Sequence, residues 1–176
     1  MIKLKGTDRF FPPGFEYIPE LRRALAAYSA AFIAAAIGYL WRFDTAFDAL
    51  YIFEDRVKKL IPDAVMDDFC DLALPGMNLF PAVSLVMVFF AATHYFYHYQ
   101  ETKSIYTMKR LPKKPLELHK RCLAAPLAGM AATVLLFFLT LAVLYVHYIL
   151  IVPEQCISPN QLGKLIYAIK EVLTYA

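Results

Sequence analysis

Charged residues are scarce in this sequence, and their scarcity limits the class of protein that it can be. Asp, Glu, Lys and Arg make up only 19% of the 176 residues, against roughly 25% in an ordinary soluble domain. Apolar residues make up 60%, and the mean hydropathy is +0.48. This balance excludes an ordinary soluble globule. It also excludes a disordered chain, which needs low hydrophobicity and high charge.

Cysteines and catalytic motifs are scarce as well. Three cysteines in 176 residues are too few for a disulfide-dense scaffold, and no two of them form a pair at zinc-ligand spacing. The chain has no phosphate-binding Walker loop, no G-x-S-x-G and no H-E-x-x-H. A net charge of +3 is too small to indicate a nucleic-acid partner. The sequence therefore predicts that the chain is not itself an enzyme and holds no cofactor or metal ion.

The sequence contains instead three long stretches without any charged side chain, at residues 24–41, 72–100 and 122–153. About 20 helical residues cross the roughly 30 Å hydrocarbon core of a bilayer. We therefore predict an all-α integral membrane protein, multi-pass in the cell membrane and embedded in its lipid bilayer, with residues 1–176 as a single membrane domain. The three transmembrane helices are predicted at about 24–42, 79–99 and 123–152.

The distribution of Lys and Arg predicts the orientation. Residues 1–23 carry five of them and residues 100–121 carry seven, whereas residues 42–71 carry four and residues 154–176 carry two. An excess of Lys and Arg marks the cytoplasmic side. We therefore expect the N-terminus and a loop at 100–122 in the cytoplasm, and a loop at 43–78 and the C-terminus outside.

The outer loop 43–78 has a near-helical spacing of apolar residues between Phe47 and Ile61. This spacing predicts a helix that Asp44 starts and Pro62 ends. The loop also carries eight acidic residues. They lack the spacing of a calcium loop, and we interpret them as a solvated surface.

The tail 157–176 repeats this pattern, with an apolar stripe from Leu162 to Leu173 opposite polar residues. The predicted amphipathic helix is too short and too polar to span a bilayer. We expect it to lie in the outer membrane interface or to pack on the outer loop, or alternatively to pack against a partner helix.

Two of the cysteines fall on the predicted outer side. A disulfide between Cys70 and Cys156 would link the outer loop to the tail, in a compartment where disulfides persist. The alternative is that both are free, buried thiols. Cys122 begins the third span on the other side and can meet neither.

Two histidines share a helix face near the inner end of the second span. His94 and His98 are four residues apart and could bracket a metal ion or a haem. His147 falls at the outer end of the third span, which excludes a four-histidine site. Because the two lie among the aromatic residues 95–99, we interpret them as part of an interfacial aromatic belt.

The inner loop 101–121 predicts a short surface helix between the second and third spans. Ser104 can cap its start, and Pro112 ends it. Such a helix could dock in a groove on a cytoplasmic partner; the alternative is a basic loop that only fixes the topology and touches anionic lipid. The apolar face holds Ile105, Met108 and Leu111, and the anchors to a partner would be Tyr106, Met108 and Arg110.

This loop resembles the loop between the second and third spans of permease subunits in type-2 ABC exporters. In that family an acid precedes a short Ser- or Thr-led helix, a Leu-Pro break and a basic residue that leads into the third span. The resemblance implies a coupling helix that docks on a separate ATP-binding cassette subunit, which would hydrolyse the ATP. The matching residues here are Glu101, Ser104, Met108, Leu111, Pro112 and Lys120.

The family permease has six spans, whereas three are predicted here, and residues 113–115 lengthen the connection after the Leu-Pro break. The resemblance therefore implies a half-permease or an accessory subunit that packs against other permease subunits. The chain also resembles small membrane proteins of Gram-positive bacteria.

The alternative function is a structural or regulatory membrane protein that stabilises or senses a partner through its outer loop and tail. Small residues on two spans allow close helix packing, either against other subunits or inside this chain. They are Ala27, Ala31, Ala34, Ala35 and Gly38 on the first span, and Ala125, Ala128, Gly129 and Ala132 on the third.

Overall fold

The structure is a computed structural model that describes residues 11, 16–54, 57–100 and 115–175. This part of the chain is mostly helical. Two 3-10 turns, Leu74–Asn78 and Glu154–Cys156, accompany the α-helices and β-strands. In chain order these elements are α1 (Tyr17–Asp48), β1 (Tyr51–Glu54), β2 (Val57–Leu60), α2 (Phe69–Ala73), α3 (Leu79–Gln100), α4 (Pro115–Ile151) and α5 (Gln161–Tyr175).

Three helical segments are long and apolar enough to cross a membrane, namely Tyr17–Asp48, Phe69–Phe96 and His119–Ile151. The predicted number of spans is thereby confirmed. α1 extends beyond both ends of the predicted span 24–42, because arginine side chains along a helix can reach the headgroup layer without ending the helix. α4 begins at Pro115, whose fixed φ suits a first helical turn.

The outer loop contains a β-hairpin where the apolar spacing predicts a helix, so the helix prediction is wrong. α1 continues through Asp44, and β1 then pairs antiparallel with β2 in a register that places Tyr51 opposite Leu60. Three of the four residues of β1 are aromatic or β-branched, and β2 begins with Val57; such side chains favour a pleated backbone. The N–H of Ile61 donates a 2.9 Å hydrogen bond to the carbonyl of Leu50, which closes the base of the hairpin.

The chain divides into two compact units. Unit 1 lies within Met1–Ala30 and Phe80–Leu136, and unit 2 lies within Ala31–Leu79 and Phe137–Ala176. Each unit has its own packing.

In unit 1 the helices approach closely around Gly129 of α4. The hydroxyl of Tyr28, on α1, donates a 2.9 Å hydrogen bond to the carbonyl of Gly129, and Thr133 donates to the same oxygen at 3.0 Å. A side chain at position 129 would collide with the sulfur of Met87 on α3. Gly129 thus serves packing inside the chain.

In unit 2 the core is built from aromatic rings. Tyr39, Phe43, Phe69 and Tyr148 are at most 4% exposed, and their ring centroids lie 5.6 to 6.4 Å apart in tilted or edge-on contacts. Such pairs add about 0.5 to 1.5 kcal/mol each beyond the apolar area that they bury. The Tyr39 hydroxyl also lies 3.2 Å from Nδ1 of His147. These rings join the second half of α1, α2 and the end of α4.

Two glycines bring α1 against the 3-10 turn Leu74–Asn78 in unit 2. A Cβ at Gly76 would lie 3.0 Å from the carbonyl oxygen of Ala35, and a Cβ at Gly38 would lie 3.3 Å from the Cα of Gly76. Ala31 and Ala35 on α1 are buried. These small residues of the first span therefore pack inside the chain. The sequence alone allows this packing or packing against other subunits.

We expect Gly76→Ala to lower the free energy of unfolding by about 1 to 2 kcal/mol, because the backbone carbonyl of Ala35 cannot move aside as a side chain can. Gly38→Ala is the matched control and should be closer to neutral, since alanine is favoured over glycine inside a helix by about 1 kcal/mol. Thermal unfolding in detergent, followed by circular dichroism, measures both. A Gly76→Ala protein as stable as the parent would contradict this close approach.

Candidate functional site

The predicted coupling residues fall mostly in the segment 101–114. α3 ends at Gln100 and α4 begins at Pro115, so this segment connects the second and third spans. Lys120 lies on α4 with an exposed side chain. The residues that lie outside the described part of the chain are Glu101, Ser104, Ile105, Tyr106, Met108, Arg110, Leu111 and Pro112.

All three cysteines are buried, free thiols in the structure. Cys70 and Cys156 lie on neighbouring segments of unit 2, since the N–H of Met66 donates a 2.9 Å hydrogen bond to the carbonyl of Cys156. The sequence leaves two possibilities open, a disulfide between Cys70 and Cys156 or two free buried thiols, and the structure has the free thiols. The Cys70–Cys156 bond stays a prediction for protein from an oxidising compartment.

A polar cluster in unit 1 is formed by Glu20, His94 and the backbone of Cys122. His94 is fully buried. Its Nε2 lies 2.8 Å from Oε2 of Glu20, and its Nδ1 lies 2.9 Å from the carbonyl oxygen of Cys122. The Glu20 side chain is 12% exposed. One imidazole on α3 therefore bonds to both α1 and α4, and the interpretation of His94 as part of an interfacial belt is wrong.

Pro126 explains why the carbonyl of Cys122 accepts a side-chain hydrogen bond. Proline has no backbone N–H, so the carbonyl four residues before it receives no helical hydrogen bond. Pro126 lies inside α4, and Cys122 is the residue four positions earlier. Cys122 is fully buried, and a buried carbonyl without a partner costs about 1 to 3 kcal/mol. His94 supplies the missing donor, and its Nδ1 must therefore carry a hydrogen.

The cluster holds one shared proton. A carbonyl oxygen can only accept, so Nδ1 of His94 donates to Cys122. The contact between Nε2 and Glu20 then requires one more proton, which is carried either by the ring or by the carboxyl group. The pair has no net charge in both forms, which suits its burial, because an unpaired buried charge is strongly destabilising. The ring of Phe11 packs edge-on against the imidazole at 5.9 Å.

A metal or haem at His94 would have to displace these partners, because both ring nitrogens already have one. The side chain of His98 lies outside the described residues. Within the described ranges, no group of three or more His, Cys, Asp or Glu side chains is arranged to hold a metal ion.

A second polar cluster, in unit 2, attaches α5 to the start of α2. The carboxylate of Asp68 accepts hydrogen bonds from Gln161 at 3.0 Å and from Lys164 at 2.7 and 2.8 Å. Gln161 in turn accepts from the N–H of Phe69 at 3.1 Å, one of the first-turn amides that a helix leaves unpaired. Lys164 also donates to Ser158. The Lys164 bond is the main cause that lowers the pKa of Asp68 from its ordinary value.

Sequence patterns missed the partners in both clusters. Glu20 precedes the first uncharged stretch, a position that is typical of an acid on the surface. Pro126 carried a usable signal, because a proline inside an apolar span leaves the carbonyl of Cys122 in need of a donor. Nothing in the spacing of Asp68 and Lys164 indicates that they meet.

No protein-family model, curated protein or solved structure matches the chain. Its function must therefore be argued from its own residues.

We expect His94→Ala to lower the free energy of unfolding by about 3 kcal/mol, because it leaves Glu20 and the Cys122 carbonyl without their buried partner. In a Pro126→Ala background the same change should cost about 1 kcal/mol less, since the substituted alanine has a backbone N–H that can bond to Cys122. Thermal unfolding of the four proteins in detergent gives this double-mutant cycle. Strict additivity would show that Pro126 does not create the need for His94.

The Asp68 cluster predicts a pH dependence. A carboxyl group whose pKa is lower in the folded state stabilises the protein above its unfolded pKa, and this contribution is lost as the pH falls through the folded value. Asp68→Asn should therefore destabilise the protein at pH 7 by about 1 kcal/mol at most, because Lys164 and Asp68 remain 41% and 28% exposed.

This difference between the parent and Asp68→Asn should shrink below about pH 4, near the ordinary carboxyl pKa. Thermal unfolding at pH 7 and at low pH measures it. The matched control is Asp48→Asn, which breaks the exposed pair of Asp48 with Lys58 and should have little effect. A pH-independent cost of Asp68→Asn would count against the ionic contribution.

Proposed function

We propose that the chain is a membrane subunit of an ABC-type exporter, either a half-permease or an accessory subunit. Segment 101–121 would act as the coupling element for a separate ATPase subunit. This chain would hydrolyse no ATP itself. The proposal is supported by the position of the segment, which connects α3 to α4 and carries the residues that resemble the coupling helix of type-2 permeases.

One observation carries the proposal furthest, namely the bonds of His94 to α1 and α4. His94 lies six residues before the end of α3, and Cys122 lies seven residues after the start of α4. The helix ends that flank the connection are thus fixed to each other, and through Glu20 to the start of α1. A force applied to the connection by a docked partner would move three helices together.

The proposed orientation places the N-terminus and segment 101–114 in the cytoplasm and the C-terminus outside the cell membrane. The excess of Lys and Arg on the first side supports this choice. α5 exposes Leu162, Ile166 and Tyr167, and an exposed apolar face of this kind suits a helix that lies in the outer membrane interface. Other permease subunits would complete the transport path.

The alternative is a structural or regulatory membrane protein that binds a partner through its outer loop and tail. The Asp68 cluster supports this alternative, because it fixes the tail to the loop and so builds one surface from both. The hairpin adds exposed apolar side chains, among them Ile52 and Phe53.

The test is affinity purification of the full chain from native membranes in mild detergent, with mass spectrometry and an ATPase assay on the eluate. Met108→Asp combined with Leu111→Asp should remove an ATP-binding cassette subunit and its activity from the eluate, because charges replace the apolar face of the predicted docking helix. The matched control, Ile52→Asp combined with Phe53→Asp, should leave that subunit bound.

The reverse pattern would favour the structural or regulatory function. In that case the hairpin variant loses its bound protein, and the loop variant keeps it. Purification without any ATPase would overturn the exporter proposal.

A further inference from the structure

A cleft in unit 2 holds charges of both signs that do not pair with each other. Its volume is about 550 Å³. It is lined by Trp41 and Arg42 of α1, by Asp67 and Asp71, and by the buried Leu72. A cleft of this size accommodates a small polar ligand.

The charged groups of the cleft are available to a ligand. Over the residues that the structure describes, neither Arg42 nor Asp67 nor Asp71 has an ion-pair partner. Asp68 lies between the two acids in sequence, yet its carboxylate is held by Lys164. One acid of the three is therefore used inside the protein, and the other two remain in the cleft with an unpaired guanidinium.

The backbone that presents these acids is fixed. The hydroxyl of Tyr148 donates a 3.1 Å hydrogen bond to the carbonyl of Asp67, and the N–H of Asp71 donates to the carbonyl of Asp68 at 3.0 Å. A ligand would therefore meet two acids whose backbone is already ordered, which reduces the ordering cost of binding.

The cleft opens at the level of lipid headgroups. Trp41 is the last residue of the uncharged stretch 24–41, and Arg42 follows it. Trp41 is 78% exposed, and tryptophan favours the boundary between hydrocarbon and water. Exposed apolar residues precede it on α1, including Ile37 and Leu40. Phospholipid headgroups are the small polar groups present at that depth.

We propose that this cleft binds the headgroup of a zwitterionic phospholipid. The Arg42 guanidinium would bind the phosphate, for which its planar donors are suited. The ammonium group would lie between the Trp41 ring, through a cation–π contact, and the carboxylates of Asp67 and Asp71. A headgroup without an ammonium group would leave the two carboxylates unpaired and facing a phosphate, which disfavours anionic lipids. This site is independent of the proposed coupling element.

The chain itself supplies the reporter for a test, because Trp41 is its single tryptophan. The purified full chain in detergent is titrated with short-chain phosphatidylethanolamine, short-chain phosphatidylglycerol and free phosphoethanolamine, with Trp41 emission as the readout. The phosphatidylethanolamine should give a saturable change. Half-saturation should require at least about fivefold more phosphatidylglycerol, which lacks the ammonium contact, as about 1 kcal/mol per lost contact implies. It should also require more phosphoethanolamine, which lacks acyl chains to lie against the exposed Ile37 and Leu40.

Two variants keep the reporter and remove one side of the site each. Arg42→Gln, and Asp67→Asn combined with Asp71→Asn, should each raise the half-saturating phosphatidylethanolamine concentration about fivefold or more. The matched control is Asp63→Asn, an exposed acid of the same loop that does not line the cleft, and it should bind as the parent does. Thermal unfolding verifies that each variant is folded.

Equal responses to phosphatidylethanolamine and phosphatidylglycerol would overturn the proposal, as would an unchanged affinity in Arg42→Gln. Equally tight binding of free phosphoethanolamine would assign the cleft to a soluble phosphoamine instead of a lipid.

Discussion

A backbone carbonyl inside a membrane helix must receive a hydrogen bond, and in this chain Pro126 withholds one from Cys122. The imidazole of His94 meets that need. Because its Nδ1 is then committed, its Nε2 faces Glu20, and a carboxylate near the start of α1 becomes part of the same cluster. A single missing N–H on α4 thus explains why a histidine is buried on α3, and the second ring nitrogen of that histidine meets an acid.

The spans could be predicted from the sequence because uncharged length is a local property that needs no knowledge of tertiary contacts. The hairpin could not be predicted, because two local signals disagree. The apolar spacing between Phe47 and Ile61 fits a helical stripe, whereas the aromatic and β-branched residues among them favour strands. Apart from Lys120, the residues that carry the resemblance to exporter permeases lie outside the described part of the chain.

The two polar clusters could not be predicted for a different reason. Glu20 and His94 are 74 residues apart, and Asp68 and Lys164 are 96 apart. Which charged residues meet across such distances depends on the rotation of each helix about its axis. Periodicity gives the apolar face of a helix, but it does not give the partner of a polar residue on that helix. Only the helical hydrogen bond lost at Pro126 marked one member of a cluster in advance.

The length of α4 has a consequence for the part of the protein beyond the bilayer. The uncharged part of α4, residues 122–151, has 30 residues, about 45 Å of helix at 1.5 Å per residue, against a hydrocarbon core of roughly 30 Å. A typical tilt of about 20° removes only a small part of this hydrophobic mismatch. Protein covers part of the surplus, since Tyr148 and Val152 are buried, whereas Leu150 is 78% exposed. The length of α4 thus gives the residues packed around its end a structural task, the partial cover of apolar surface that the bilayer does not reach.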